Sequence, residues 1–163
     1  MTDAAADTTI GELRTVADYQ FGAGAGAALF PPETADELTL HRSTGGRPRQ
    51  VVAPEGRIVS YGTDGRFTLG LEGGRRLRAA FDPPTARVVV GAESEPFVRD
   101  GKNAFAKFVR EVGPAVRPGD EVAVVRDDDT LLAVGRAELS ADGMFDFESG
   151  AAVSVREGNE ADE

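Results

Sequence analysis

The sequence predicts an α+β chain, in which a small α+β domain precedes a mixed β-barrel with one or two short helices. Three observations lead there. One stretch near the N-terminus repeats its apolar residues at helical spacing. Most of the remainder is broken into short β-branched runs between Gly- and Pro-rich turns. A paired proline, Pro83-Pro84, interrupts the chain near its middle.

In chain order, residues 1–8 are small, polar and acidic and read as a disordered tail. Thr9 is a plausible N-cap with Glu12 completing a capping box, and Leu13, Val16, Ala17 and Phe21 then follow at helical spacing. Gly22, Gly24 and Gly26 disfavour its continuation, and Ala27–Phe30 can resume one turn before Pro31-Pro32 stops it. Strands are expected at Glu37–Arg42, Gln50–Ala53, Arg57–Tyr61 and Arg66–Leu71, the last two joined by a Gly62-Thr63-Asp64-Gly65 turn, with Arg75–Phe81 as a further edge. Residues 9–82 therefore read as one helix laid on an antiparallel sheet, bounded by Asp82-Pro83-Pro84-Thr85. Beyond it, in a second domain over residues 83–158, Arg87–Val90 is a buried strand. Val98–Val112 reads as a helix with Phe105, Phe108, Val109 and Val112 on its inner face. Glu121–Val125, Thr130–Ala137 and Ala151–Arg156 are strands, separated by an Asp127-Asp128-Asp129 turn and a Ser140–Gly143 turn. Residues 159–163 read as an acidic tail.

Charge is the most unusual property of the chain. It carries 28 Asp and Glu against 18 Lys and Arg, and only Lys102 and Lys107 are lysines. An acidic, lysine-poor, Ala- and Gly-rich chain points to a halophilic organism, in which molar intracellular salt shrinks the Debye length to ~3 Å, more than to an acidic chain made for a particular partner. A net charge of −10 then does not exclude a nucleic-acid partner. The charges are also unevenly placed: residues 1–41 carry net −6, residues 42–117 net +6 and residues 118–163 net −10. A positive middle between acidic flanks fits a binding stripe, or arginines scattered unevenly over short strands.

Several functions are disfavoured. There is no cysteine, which removes disulfides, thiolate catalysis and Cys-based zinc. No apolar run approaches the ~20 residues that span a bilayer, and the N-terminus has no apolar secretory core, so a cytoplasmic location without membrane association is expected. His41 is the lone histidine and sits beside Arg42 with nothing to complete a metal or triad site. Gly22-Ala23-Gly24-Ala25-Gly26 follows a helix rather than a strand, which fails the context of a dinucleotide loop and favours a C-capping role. No catalytic group, cofactor or metal is expected.

The segment from Phe97 to Val109 carries more. Both lysines of the chain fall inside it, and in a sequence that otherwise avoids lysine they suggest phosphate contact, a compact charge on a flexible stem being suited to a curved backbone. On the expected helix, Lys107 and Arg110 face away from the core; a solvated helix face is the alternative.

This segment, Pro96-Phe97-Val98-Arg99-Asp100-Gly101-Lys102-Asn103-Ala104-Phe105-Ala106-Lys107-Phe108-Val109, resembles the opening of a PUA domain. Val116-Arg117-Pro118-Gly119-Asp120-Glu121-Val122, Leu131–Ser140 and Gly150–Gly158 resemble its middle and end, as found at the C-terminus of archaeal tRNA-guanine transglycosylases and the related archaeosine synthases. Upstream, Val16–Gly22 and Arg42-Ser43-Thr44-Gly45-Gly46-Arg47-Pro48-Arg49 resemble the small domain preceding the PUA domain in those enzymes. The resemblance implies a barrel that grips the acceptor-stem end of tRNA and reads it by shape. Carried over, the candidate contacts are Arg99, Lys102, Asn103, Lys107 and Arg110, then Arg117 and Gly119 in the following loop, with Arg47 and Arg49 upstream. Gly119 would admit a close backbone approach or serve an ordinary turn, and Arg136 would contact RNA or face a carboxylate neighbour. The large catalytic domain and cysteine-rich zinc site of those enzymes have no counterpart in this sequence. The implied function is a stand-alone tRNA-binding protein, not itself an enzyme, accessory to archaeosine-type tRNA modification and acting with a separate catalytic subunit; DNA is not an expected partner. The alternative is a protein-interaction subunit that docks a tRNA-modifying enzyme and touches RNA little.

Overall fold

The computed structural model describes residues 4–147 and 149–160. The chain divides into two compact units, one ending at Ala80 and the other beginning at Phe81. No helix among the described residues is long and apolar enough to cross a membrane.

The first unit opens with α1 (Ala4–Phe21), which starts well before the expected residue. Ala4, Ala5 and Ala6 are strong helix formers, so the helix does not wait for a cap at Thr9. Thr9 lies inside it, and its hydroxyl accepts from Arg42 Nη2 at 3.1 Å. Of the expected N-terminal tail, residues 1–3 lie outside the described residues. Gly22 ends α1 with φ +112°, Gly24 opens α2 (Ala25–Leu29) with φ +96°, and Gly26 lets the two helices meet backbone to backbone: a Cβ there would lie 2.3 Å from the Arg14 carbonyl oxygen. After a 3-10 stretch at Pro32–Glu37 come β1 (Thr39–Arg42), β2 (Pro48–Ala53), β3 (Gly56–Tyr61) and β4 (Phe67–Leu69), an antiparallel sheet in that order. The register places Leu40, Val51, Val59 and Leu69 in one row, and the last three are buried. Gln20 closes the free edge of β4, its amide accepting from Phe67 N at 2.7 Å and donating to Phe67 O at 2.9 Å.

The expected edge strand at Arg75–Phe81 is instead part of a helix, α3 (Leu71–Ala80). Glu72 binds Arg75 at 2.6 Å and Arg76 at 2.8 Å, the three- and four-residue spacings at which helical side chains meet. Gly73 sits against β3, since a Cβ there would lie 2.1 Å from the Ile58 carbonyl oxygen. Gly73, which weakens the helical pattern, is thus what lets the helix pack.

The second unit contains β5 (Arg87–Val90), α4 (Glu95–Arg99), β6 (Ala104–Phe105), β7 (Val109–Val112), β8 (Glu121–Val125), β9 (Leu131–Ala137), α5 (Ala141–Asp146) and β10 (Ala151–Gly158). They form a nearly closed six-stranded sheet in the order β6-β10-β9-β8-β5-β7, antiparallel except for β5 beside β8. Valines and alanines fill the interior, with Leu132 and Met144. The fold class is as expected: α+β, with a small mixed barrel.

Three local expectations fail here. The helix expected over Val98–Val112 is confined to α4; Gly101, at φ +90°, ends it, and the rest becomes β6, a 3-10 turn at Ala106–Phe108 and β7. The residues turned inward are Val98, Ala104, Ala106, Val109 and Val112, while Phe105 is exposed. The Ser140–Gly143 turn is the start of α5, capped by Ser140 Oγ accepting from Gly143 N at 3.0 Å. Asn159, assigned above to an acidic tail, is buried and hydrogen-bonded to Leu131 and Leu132; residues 161–163 lie outside the described residues.

Candidate nucleic-acid interface

Turning α4 into β6 at Gly101 places Lys102 and Asn103 at the rim of the barrel. Lys102 is exposed, its Nζ only 3.5 Å from Asp100 Oδ2, too long a contact to hold it. Asn103 Oδ1 accepts from Val155 N at 3.0 Å, tying the turn to β10. Beyond it, a depression of about 410 Å³ is lined by Phe97, Phe105, Phe108, Asn103 and Lys107, with Ser94, Ser149 and Gly150 completing its wall. Phe97 is 56% and Phe105 47% exposed, an unusual cost in water for two neighbouring rings of a small barrel. Lys107 Nζ stands 5.0 Å from the Phe108 ring centroid, a cation–π distance that leaves its charge at the mouth. Apolar ring faces next to mobile cations suit a ligand with both an aromatic face and an anionic backbone.

The other expected residues divide sharply. Arg99 is a strut: its Nε donates to Glu95 Oε2 at 2.9 Å and its Nη1 to Asn159 O at 2.8 Å. Arg110 pairs with Glu93 at 2.5 Å beside a separate depression that includes Arg126 and Asp127. Arg117 and Gly119 lie in the turn before β8, where Arg117 N donates to Asp120 Oδ2 at 2.9 Å. Gly119 has φ +92° and open space where a side chain would stand. Its N–H donates to Ala137 O at 2.8 Å, beside Arg136 in the chain. Arg136 faces a carboxylate: Glu138 accepts from it at 2.9 Å and raises its pKa, while Arg136 and Ser154 hold Glu138 below its usual range. In the first unit, Arg47 lies 5.5 Å from the Tyr61 ring centroid and donates to Tyr61 O, and Arg49 is exposed on β2. The depression thus gathers Asn103 and Lys107, with Lys102 adjoining. Phe97 and Phe105 were missed as site residues; the alternation of small Ala104 and Ala106 about Phe105 was the signal that could have exposed them.

The acidic turn after β8 is a structural feature. Hydrogen bonds from Thr130, then from Arg126, lower the Asp128 pKa from 3.8 to about 2. A carboxylate whose pKa is depressed on folding contributes stability above its unfolded value and loses it as pH falls toward the folded one. Asp128→Asn should therefore lower the urea midpoint by a constant amount near neutrality, and the difference from the parent should close between pH about 4 and about 2.

Comparison with known proteins identifies both halves of the chain. The patch-forming domain C2 of tRNA-guanine transglycosylase matches residues 11–84, and the PUA domain matches residues 86–158. The tRNA-guanine(15) transglycosylase of Methanothermobacter thermautotrophicus is 44% identical over 157 residues, 93% of this chain and 23% of that protein. The enzyme of the same name from Pyrococcus furiosus is 45% identical over 149 residues, covering 91% of this chain and 24% of that one. The chain thus spans about a quarter of the length of these relatives. Among solved structures, a hypothetical protein from Pyrococcus horikoshii superposes with a TM-score of 0.70 at 18% identity, over 94% of this chain and 92% of that one. A conserved PUA domain protein from Thermoplasma acidophilum superposes with a TM-score of 0.57 at 18% identity, over 93% and 91%. The resemblance read from the sequence holds: the chain consists of a patch-forming C2 domain and a PUA domain, homologous to the C-terminal region of the tRNA-guanine(15) transglycosylases.

Proposed function

We propose that this chain binds tRNA by its acceptor-stem end and serves archaeosine-type tRNA modification as an accessory, the catalytic chemistry residing in a separate subunit. The observation that carries this reading is the Phe97–Phe105–Phe108 depression with Lys107 and Asn103 in its lining and Lys102 beside it. A helix end offers what that depression accepts: an exposed base face for the rings and a phosphate backbone within reach of the lysines. The homology to tRNA-guanine(15) transglycosylases, through C2 and PUA domains, supports a role in tRNA modification.

The lysines carry the first test. Lys102→Glu with Lys107→Glu should weaken tRNA binding about tenfold at moderate salt and flatten the log K against log salt slope by about 2, one unit for each lost phosphate contact. Filter binding across a salt series reads both quantities. A double variant that binds as tightly as the parent, with the same slope, sinks the assignment of these lysines. Exposed Phe145 and Phe147 favour a second reading, in which the chain docks a tRNA-modifying enzyme and contacts RNA little. That reading predicts a stable co-purifying partner and no measurable affinity of the chain for isolated tRNA.

A further inference from the structure

Helix α4 has five residues, too few to be stable on its own hydrogen bonds, yet the turn after it must hold Lys102 in place. Its own backbone closes the turn, Lys102 N donating to Phe97 O at 2.9 Å, and a second hold comes from the end of β10. The last residue of β10, Gly158, lies directly against the turn: a Cβ there would be 2.1 Å from the Arg99 carbonyl oxygen and 2.9 Å from Gly101 N. The next residue, Asn159, is 3% exposed and uses its polar groups in three directions. Its N–H donates to Leu132 O at 2.7 Å, its Nδ2 donates to Leu131 O at 3.0 Å, and its carbonyl accepts from Arg99 Nη1 at 2.8 Å. Arg99 in turn shares Glu95 Oε2 with Arg126, whose Nη1 stands 3.2 Å from that oxygen and whose Nη2 reaches Thr130 Oγ1 at 2.9 Å. On the other flank, Asn103 is fixed to Val155, also on β10. Lys102 is therefore suspended between two anchors that both belong to one strand and its extension.

We propose that Asn159 and Arg99 are positioning residues for RNA binding: they form a bracket that fixes the 100–103 turn in its gripping conformation and do not contact RNA themselves. The proposal rests on the reading that this turn faces RNA. A buried polar network whose members are all satisfied holds its parts in one arrangement, and a turn ordered in advance need not be ordered on binding. The side chain of Asn159 adds its bond to Leu131 O to the one the backbone N–H makes to Leu132 O, and together they hold the chain end on β9, from which its carbonyl reaches Arg99.

The test compares Asn159→Ala and Arg99→Lys with the parent by tRNA affinity across a salt series and by amide hydrogen exchange. Both variants should lose roughly three- to tenfold in affinity, the size of the ordering cost of one or two side chains. The salt slope should stay unchanged, because Lys102 and Lys107 remain to meet their phosphates. Exchange at residues 101–103 should quicken while the strands β5, β8 and β9 keep their protection. Arg99→Lys keeps the positive charge and leaves the Asn159 bonds to β9 intact, so it reports on the bracket even where Asn159→Ala fails to fold. Parental affinity together with parental exchange at 101–103 overturns the proposal, as does faster exchange spread evenly through the barrel. If the parent itself shows no tRNA affinity, the RNA reading falls, and exchange at 101–103 still decides whether the bracket exists.

Discussion

Arg87→Met should destabilise the second unit by about 3 kcal/mol or more, the cost typical of removing one partner from a buried ion pair. Arg87 is 1% exposed, and its guanidinium bonds Asp129, Thr85 and Phe81. Nε and Nη2 meet the two oxygens of Asp129, at 2.5 and 3.0 Å; Nη1 donates to Thr85 O and Nη2 also to Phe81 O, each at 3.0 Å. The arginine thus joins the segment that enters β5 to the acidic turn between β8 and β9. Methionine fills much of the same volume, so a cavity contributes little; the loss comes from a stranded carboxylate and two carbonyls deprived of their donor. Asp129 retains some access to water, its side chain being 31% exposed, which keeps the loss toward the lower end of the range. Adding Asp129→Asn should recover part of it. Asn removes the stranded charge and tolerates the left-handed backbone of this position, φ +69°. Urea midpoints for the two single variants and the double variant form a cycle, and a strictly additive double variant would show that the pair is not coupled.

Parts of this architecture were legible and parts were not, for physical reasons that differ by residue. Strands β5, β8 and β9 are almost wholly buried, so their unbroken valine, leucine and alanine runs, set between turns, could be little else. Between Val98 and Val112 the same logic misleads. Phe105, Phe108, Val109 and Val112 fall at helical spacing, but Gly101 breaks the helix and the inward places go to small residues, Ala104 and Ala106. The rings thereby turn outward, so the misplaced helix also hid the depression that they line. In α3 the adjacent Gly73 and Gly74 hid a helix, because Gly73 is there for its close approach to Ile58, a residue of another element. Lys102 and Lys107 stood out because lysine is otherwise absent from the chain. Arg99 could not be told apart from a free cation, since one of its partners, Asn159, lies 60 residues away and was assigned to the tail.

Replacing Phe97 and Phe105 by Ala should weaken tRNA binding more than any charge change, by about 1–3 kcal/mol for each ring that stacks on a base, or roughly 5- to 150-fold per ring. Both rings are already about half in water, so their removal gives up little burial and the barrel should unfold at nearly the parental urea concentration. Binding and stability then separate, which distinguishes a ligand platform from misplaced core. Salt supplies the second discriminator. At about 1 M salt the Debye length is ~3 Å and phosphate contacts contribute little. The effect of charge reversal at Lys102 and Lys107 should fade there, whereas the effect of the ring truncations should persist, because stacking releases no counterions. Phe105→Trp, which keeps an aromatic face, should retain most of the affinity that Phe105→Ala loses. Equal loss from Phe105→Trp and Phe105→Ala would mean that the depression recognises shape alone, and undiminished binding by the double alanine variant at high salt would remove the rings from the interface. Affinity that survives screening must come from such faces, and the barrel exposes two of them beside the chain's only lysines.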